Sequence, residues 1–359
     1  MTTQIRHSNS SPTKNLRRRI VRWFSRGRSG NENAPSLPLP ASGIYRILIC
    51  RATKTLGETL LLTPLLGEIE QRFPGAEVDV LTRCAAAPEL LAGWFNVGCV
   101  HLLPERMFGA PVVMARLLRG LRAAHYDLAI DPYLFSNTDR ALVARSQSRF
   151  SVGLDGERKS GRLTHAVAVP ENLEHAGKLP VFALRRALGE TPDAAAGYPL
   201  LDLRLSDAER AAGVQALANL TGAARRTIGV YAHATGVKSF ARGWWDEFLV
   251  VLAARFPQHA IVEILPASGG SLLGDRYPAF FSSRPRRLGA LVANLDLFVS
   301  GDCGVMHLAS ASGAPTAGLF VASDINGWNV YGPRRGSFDA RGEPPAQIAA
   351  QVASAFDAG

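Results

Sequence analysis

Three short stretches carry side chains able to move a proton or to hold an anion. The first is GETLLLTPL, residues 57–65. Gly57 permits a tight turn there, and Glu58 falls at the start of a helical pattern. A carboxylate placed so, and aimed into a cleft, is a candidate general base; equally, it is an ordinary first-turn acid favoured by the helix dipole. The second is HATGVKSFARGWW, residues 233–245. Its small residues let a backbone approach a phosphate, Lys238 supplies positive charge, and Thr235 adds a hydroxyl; the plain alternative is a surface lysine on a loop. The third is SGDCGVMH, residues 300–307, where an apolar run ends and a helix begins. Backbone N–H groups at Cys303 and Gly304 would be unpaired at that helix start and suit a diphosphate. His307 would lie one turn in. The plain alternative makes Asp302 an N-cap and His307 a core-edge histidine.

These stretches need elements that bring them together. IYRILIC, residues 44–50, is a continuous apolar run of the kind found in parallel strands buried on both faces. Behind it, Leu62, Leu65, Leu66, Ile69 and Phe73 share one helical face, which Pro64 should kink. Strand patterns follow near 77–81, 100–103, 126–130 and 150–154, with helical patterns at 111–124 and 138–146. A second series begins at 227–232 and continues at 260–265, 295–300 and 316–321, with helices around 244–255, 286–293 and 305–312. The alternation predicts βαβ units and parallel sheets. The reading is α/β, with a basic segment and linker (1–43), a first Rossmann-like domain (44–200), a second (201–344) and a closing helix (345–359) carrying Ile348, Val352, Ala355 and Phe356 on one face. Ligands of doubly wound sheets lie at the carboxyl ends of strands. All three stretches sit at such ends and would face a common cleft.

Composition bounds the rest. The chain has 359 residues, is 47% apolar, and carries a net charge of +10. Residues 1–28 hold seven arginines, one lysine and no acid, leaving 32 basic against 30 acidic residues elsewhere. The body is therefore nearly neutral and predicts no nucleic-acid groove. Within 16–28, LRRRIVRWFSRGR, the residues Leu16, Ile20, Trp23 and Phe24 share a helical face among Arg18, Arg19 and Arg22. That pattern suits a helix lying on an anionic membrane through residues 14–28, or else a basic tail. No apolar run reaches the ~18 residues of a membrane-crossing helix, and the basic N-terminus lacks the apolar core of a secretory signal. The four cysteines (Cys50, Cys84, Cys99, Cys303) lie far apart, which predicts neither a zinc site nor disulfides and fits a reducing cytoplasm.

Taken together, the motifs resemble glycosyltransferase family 9, the ADP-heptose:lipopolysaccharide heptosyltransferases. The family's Gly-Asp-x4-Thr-Pro-Leu is similar to GETLLLTPL, followed by RFPGAEVDVLT at 72–82. Its phosphate lysine falls on Lys238, with Phe240, Trp245 and Phe248 in the aromatic spacing. Its Asp-Thr-Gly-x-x-His falls on Asp302, Cys303, Gly304 and His307, and its closing motif on LFVASDINGWNVYGP at 319–333. The resemblance covers roughly 44–333 and implies the GT-B fold, with two Rossmann-like domains facing a cleft. It also implies metal-free, inverting transfer of a sugar, heptose from ADP-heptose, to a lipopolysaccharide-core or related lipid-linked glycan. No cofactor beyond the nucleotide sugar would be required. Glu58 would be the base, Gly57 a loop support for the anion, and Thr235, Lys238, Asp302, Cys303, Gly304 and His307 the donor site. The enzyme would be cytoplasmic and peripheral at the inner face of the inner membrane.

The sequence departs from the family at four places, one being the loop before Glu58, which is a residue longer than the family's and lacks a glycine often found there. Glutamate replaces aspartate at 58, Cys303 replaces threonine, and the loop PASGGSLLGDRY (266–277) offers only Asp275 as an acid for the donor ribose. These leave a second reading, a non-catalytic nucleotide-sugar-binding member of the family. A dinucleotide-dependent oxidoreductase is disfavoured, since no GxGxxG follows Cys50 or Ala232.

Overall fold

A computed structural model describes residues 37–356 apart from 106, 157–160, 192–196 and 223–225. The expected membrane-contact residues Arg18, Arg19, Arg22, Trp23 and Phe24 lie outside the described residues. The strands are β1 (Arg46–Arg51), β2 (Glu77–Thr82), β3 (Val97–Leu102), β4 (Leu128–Asp131), β5 (Phe150–Asp155), β6 (His165–Ala168), β7 (Arg226–Tyr231), β8 (His259–Ile264), β9 (Ala279–Phe280), β10 (Leu297–Gly301), β11 (Thr316–Phe320) and β12 (Arg335–Asp339). The helices are α1 (Leu56–Leu60), α2 (Thr63–Arg72), α3 (Ala87–Leu90), α4 (Pro111–Ala123), α5 (Asn137–Ser146), α6 (Leu179–Ala187), α7 (Asp207–Thr221), α8 (Arg242–Arg255), α9 (Pro285–Val292), α10 (Gly304–Ala311), α11 (Ile325–Trp328) and α12 (Pro345–Phe356).

Two six-stranded sheets result, in the orders β3-β2-β1-β4-β5-β6 and β12-β11-β10-β7-β8-β9, and every recorded pair is parallel. Each sheet starts at its centre, runs outward through two strands, then reverses to the other side. The switch points therefore lie between β1 and β4 and between β7 and β10, where doubly wound sheets open a crevice. This is the expected α/β architecture of two Rossmann-like domains.

Local sequence explains the elements that matter for the site. The β1 residues after Arg46 are all buried, as a central parallel strand requires. The kink foreseen at Pro64 is a full break: α1 stops at Leu60, and α2 restarts with Pro64 in its first turn, where a missing N–H costs no hydrogen bond. The second domain opens with α7. Its start is a reciprocal capping box, with the Glu209 N–H donating to Ser206 Oγ at 3.2 Å and the Ser206 N–H donating to Glu209 Oε2 at 2.8 Å. The edge strands β6, β9 and β12 escaped the sequence reading because they are short and only partly buried.

The end helix α12 packs on α8 of the second domain, burying Ile348, Ala349, Val352 and Ala353 against Trp245, Phe248, Leu249 and Leu252. Its buried face is rotated from the expected one, since Ala355 is exposed and Phe356 only half-buried. Among the described residues, no helix is long and apolar enough to cross a membrane.

Candidate functional site

On the first domain the site begins where β1 ends. Thr55 is the N-cap of α1, its hydroxyl accepting from the Glu58 N–H at 3.4 Å. That cap places Glu58 on the first turn, facing back over the loop. Its Oε2 accepts from Arg51 Nη2 at 2.8 Å and from the Thr53 hydroxyl. Arg51 is itself pinned. Its Nη1 donates to Asp139 Oδ2 at 3.0 Å, and its guanidinium lies over the Tyr133 ring at 3.9 Å. Asp139, in the first turn of α5, also accepts from the Ala52 N–H at 2.9 Å. Burial pushes the Asp139 carboxyl up, against the pull of Arg51. The network orients Glu58 through one oxygen, and among the described residues Oε1 has no recorded partner. Glu58, a quarter of whose side chain is exposed, lines a small cavity with Arg51, Tyr133, Ala176 and Trp328.

On the second domain the corresponding loop runs from β7 through Thr235, the first residue outside a single 3-10 turn, Gly236–Lys238. Lys238 Nζ donates to Asp302 Oδ2 at 2.6 Å. Asp302 follows β10 and is 5% exposed. The alternative that Asp302 caps the helix does not hold: Cys303 is the N-cap of α10, and that helix has no side-chain cap bond. Lysine competes better for a carboxylate than a neutral N–H does, because both partners are charged. No side chain makes a full cap bond to the N–H groups at the start of α10, where the nearest polar side-chain atom is the weakly accepting Cys303 sulfur, beside Val305 and Met306. Burial pushes the Cys303 thiol up, so it stays protonated and inert. His307, 3% exposed, has its pKa pushed down to about 4 by burial. Its Nδ1 is buried without a partner among the described residues.

The two halves meet at a pair of glycines. Gly57 lies inside α1 rather than in the tight turn expected of it. A Cβ there would come within 2.9 Å of His307 Cδ2 and 3.1 Å of Gly304 Cα. A Cβ on Gly304 would come within 3.1 Å of the Gly57 backbone nitrogen. Only two residues without side chains let α1 approach the start of α10 this closely. Glu58, Lys238 and Asp302 all act electrostatically on His307.

A second seam closes the cleft nearby. The Ala176 N–H donates to the Gly327 carbonyl at 3.0 Å, and His175 Nε2 donates to the Asn329 carbonyl at 2.8 Å. His175 Nδ1 accepts from the Gly177 N–H at 3.0 Å. Both bonds fit one neutral tautomer, with the proton on Nε2. Burial pushes the His175 pKa down to about 4.

The sequence reading thus named residues that the fold does bring to one cleft: Gly57, Glu58, Lys238, Asp302, Cys303, Gly304 and His307. Thr235 sits exposed at the rim. Asp275 adopts a left-handed turn, φ 56, on the exposed loop after β8. The acid that organises this loop is Glu263, whose carboxylate accepts from the Ser271 hydroxyl at 2.6 Å and the Leu272 N–H at 3.0 Å. Arg51, Thr53, Tyr133, Asp139 and Trp328 were missed as site residues. A charged residue following the apolar run Ile47–Cys50 was the available signal for Arg51.

Comparison with known proteins fits this geometry. Residues 286–351 match the family model "Glycosyltransferase family 9 (heptosyltransferase)". Among solved structures, a glycosyltransferase family 9 protein from Veillonella parvula shares the fold with a TM-score of 0.66 at 14% identity, over 84% of this chain and 86% of that one. The E. coli ADP-heptose LPS heptosyltransferase II gives 0.65 at 16% identity, over 88% and 98%. E. coli heptosyltransferase WaaC, solved with ADP, gives 0.63 at 19%, over 87% and 98%. A search among curated protein sequences finds no match.

Proposed function

We propose, from the premise that this chain is similar to the heptosyltransferase-type glycosyltransferases in sequence over residues 286–351 and in fold over most of its length, that it transfers a sugar from a nucleotide sugar to a lipid-linked glycan. The donor we favour is ADP-heptose. The nucleoside diphosphate lies against the second domain and the acceptor against the first. An acceptor hydroxyl gives its proton to Glu58 Oε1 while its oxygen attacks the anomeric carbon. The bond from that carbon to the diphosphate oxygen breaks, and the configuration inverts. Lys238 and the uncapped N–H groups at the start of α10 take up the charge that develops on the leaving diphosphate, without a metal. Lys238 exchanges Asp302 for the phosphate, or shares itself between them, and Thr235 and His307 complete the donor's surroundings.

One observation carries this reading. Glu58 is tethered through a single oxygen at the cavity mouth, while Lys238 and an uncapped helix start face it across the Gly57–Gly304 contact. Thermal shift of the full chain against ADP, UDP, GDP, CDP, their sugars and NAD tests the donor half. Selective stabilisation by ADP and ADP-heptose is expected, and stabilisation by NAD alone would overturn the reading.

The ion pair of Glu58 with Arg51 favours a second reading, a non-catalytic binder, because a base must give up part of that attraction on protonation. Donor stabilisation without turnover on any glycan acceptor would select it. The basic face of residues 14–28 supports placement at the inner face of the inner membrane. Deleting residues 1–28 should lower binding to anionic vesicles, and unchanged binding would refute that role.

A further inference from the structure

Beyond the Glu58 cavity the cleft opens into a groove of about 560 Å³. The two spaces share Pro132, Tyr133, Ala176 and Trp328, so a molecule lying in the groove has one end at Glu58. The groove floor is apolar. Phe135 is 68% exposed and meets Tyr133 edge to face with centroids 5.7 Å apart, and Val169 is 40% exposed. Exposed aromatic rings in a groove offer the flat faces on which the C–H face of a sugar packs. Among the described residues that line the groove, every charged one is acidic: Glu171, Glu174 and Asp324. Asp324 is fixed by the N–H groups of Asn326 and Gly327, at 3.2 and 3.0 Å. Glu171 and Glu174 are exposed.

We infer that the acceptor sugar held in this groove is neutral or amine-bearing, with an apolar face, and is not a carboxylated or phosphorylated sugar. This inference rests on the transferase reading for calling the occupant an acceptor. The physical reason is charge complementarity. Three carboxylates lining the groove repel an anionic sugar and attract an ammonium group, while leaving a neutral sugar to bind through its stacked face.

The test measures binding of three octyl glycosides to the full chain at neutral pH by calorimetry: a glucosaminide, a glucoside and a glucuronide. The glucosaminide should bind about fivefold tighter than the glucuronide, with the glucoside between them, and the spread should shrink at high salt. Replacing Glu171→Lys together with Glu174→Lys should invert the order while leaving the nucleotide thermal shift unchanged. Tightest binding of the glucuronide, an order unaffected by the double replacement, or no glycoside binding would each overturn the inference. Failure of the transferase reading is separate. It would show as the expected glycoside order with no nucleotide-sugar stabilisation, whereas efficient transfer onto the glucuronide would sink the groove inference alone.

Discussion

At the carboxyl end of β1 the chain lays down Arg51, Thr53 and Glu58 in a network closed by Asp139. In the equivalent position of the second sheet, after β7, a short exposed turn carries Lys238 across to Asp302. Two switch points with the same strand order have thus been given opposite chemistry. The first fixes an anion by surrounding it with donors, and everything around Glu58 is tied. The second leaves a cation on a turn only 3 residues long, paired with one acid and beside an uncapped helix start. Topology decides where a ligand can lie; the strand-end residues decide which charge meets it. The rigid half suits a group that must be aimed, and the loosely held half suits a group that must follow a departing phosphate.

The comparison is broken most severely by Glu58→Gln. If the first switch point supplies the base, turnover should fall roughly thousandfold while donor-induced thermal shift is retained. Full turnover would leave the network as mere scaffolding.

A pH titration of stability probes the seam that holds the two halves together. His175 has its folded pKa pushed down to about 4, against about 6.5 unfolded. The unfolded chain therefore binds the proton first. Stability is fully present above about pH 6.5 and is lost as pH falls toward 4, by roughly 3 kcal/mol for this group. Denaturant melts at pH 7 and pH 4.5 should differ accordingly, with a shallower dependence in His175→Gln. Equal dependence in both proteins would remove His175 from the account.

Lys238→Ala tests the second switch point. The loss of one charge-assisted contact to a phosphate should weaken nucleotide binding by roughly ten- to thirtyfold, visible by calorimetry, whereas Asp302→Asn should leave Lys238 more available. An effect of comparable size is expected from Gly57→Ala, which places a methyl group against His307 and the Gly304 backbone. It should cost about 1–3 kcal/mol of stability, measured by denaturant unfolding. An unchanged midpoint would mean that the α1–α10 contact is not tight in solution.

Much of this was legible in the sequence, and the reasons differ from place to place. The central strands β1, β4, β7 and β10 announce themselves because burial on both faces demands an unbroken apolar run. Glu58, Lys238 and Asp302 were found because each stands just beyond such a run. What could not be seen was pairing. Whether Asp302 caps α10 or holds Lys238 depends on a loop 64 residues away in the chain. Gly57 looks like a turn residue until the distant Gly304 is brought against it. Arg51 reads as the end of a strand until Asp139, 88 residues later, returns to its side. Local pattern fixes an element, but the partner of a side chain is a property of the assembled sheet.

The seat of α12 has a consequence for how the chain comes together during synthesis. Trp245, Phe248 and Leu252 belong to a core completed by Ile348 and Val352, roughly a hundred residues downstream. The first sheet has all six of its strands once β6 has emerged, so it can fold early, as N-terminal domains do on the ribosome. The second lacks Ile348 and Val352 from the core around its tryptophan until α12 arrives. For the time taken to translate that interval, the apolar face of α8 stands without its partner helix and is open to chaperones and to aggregation.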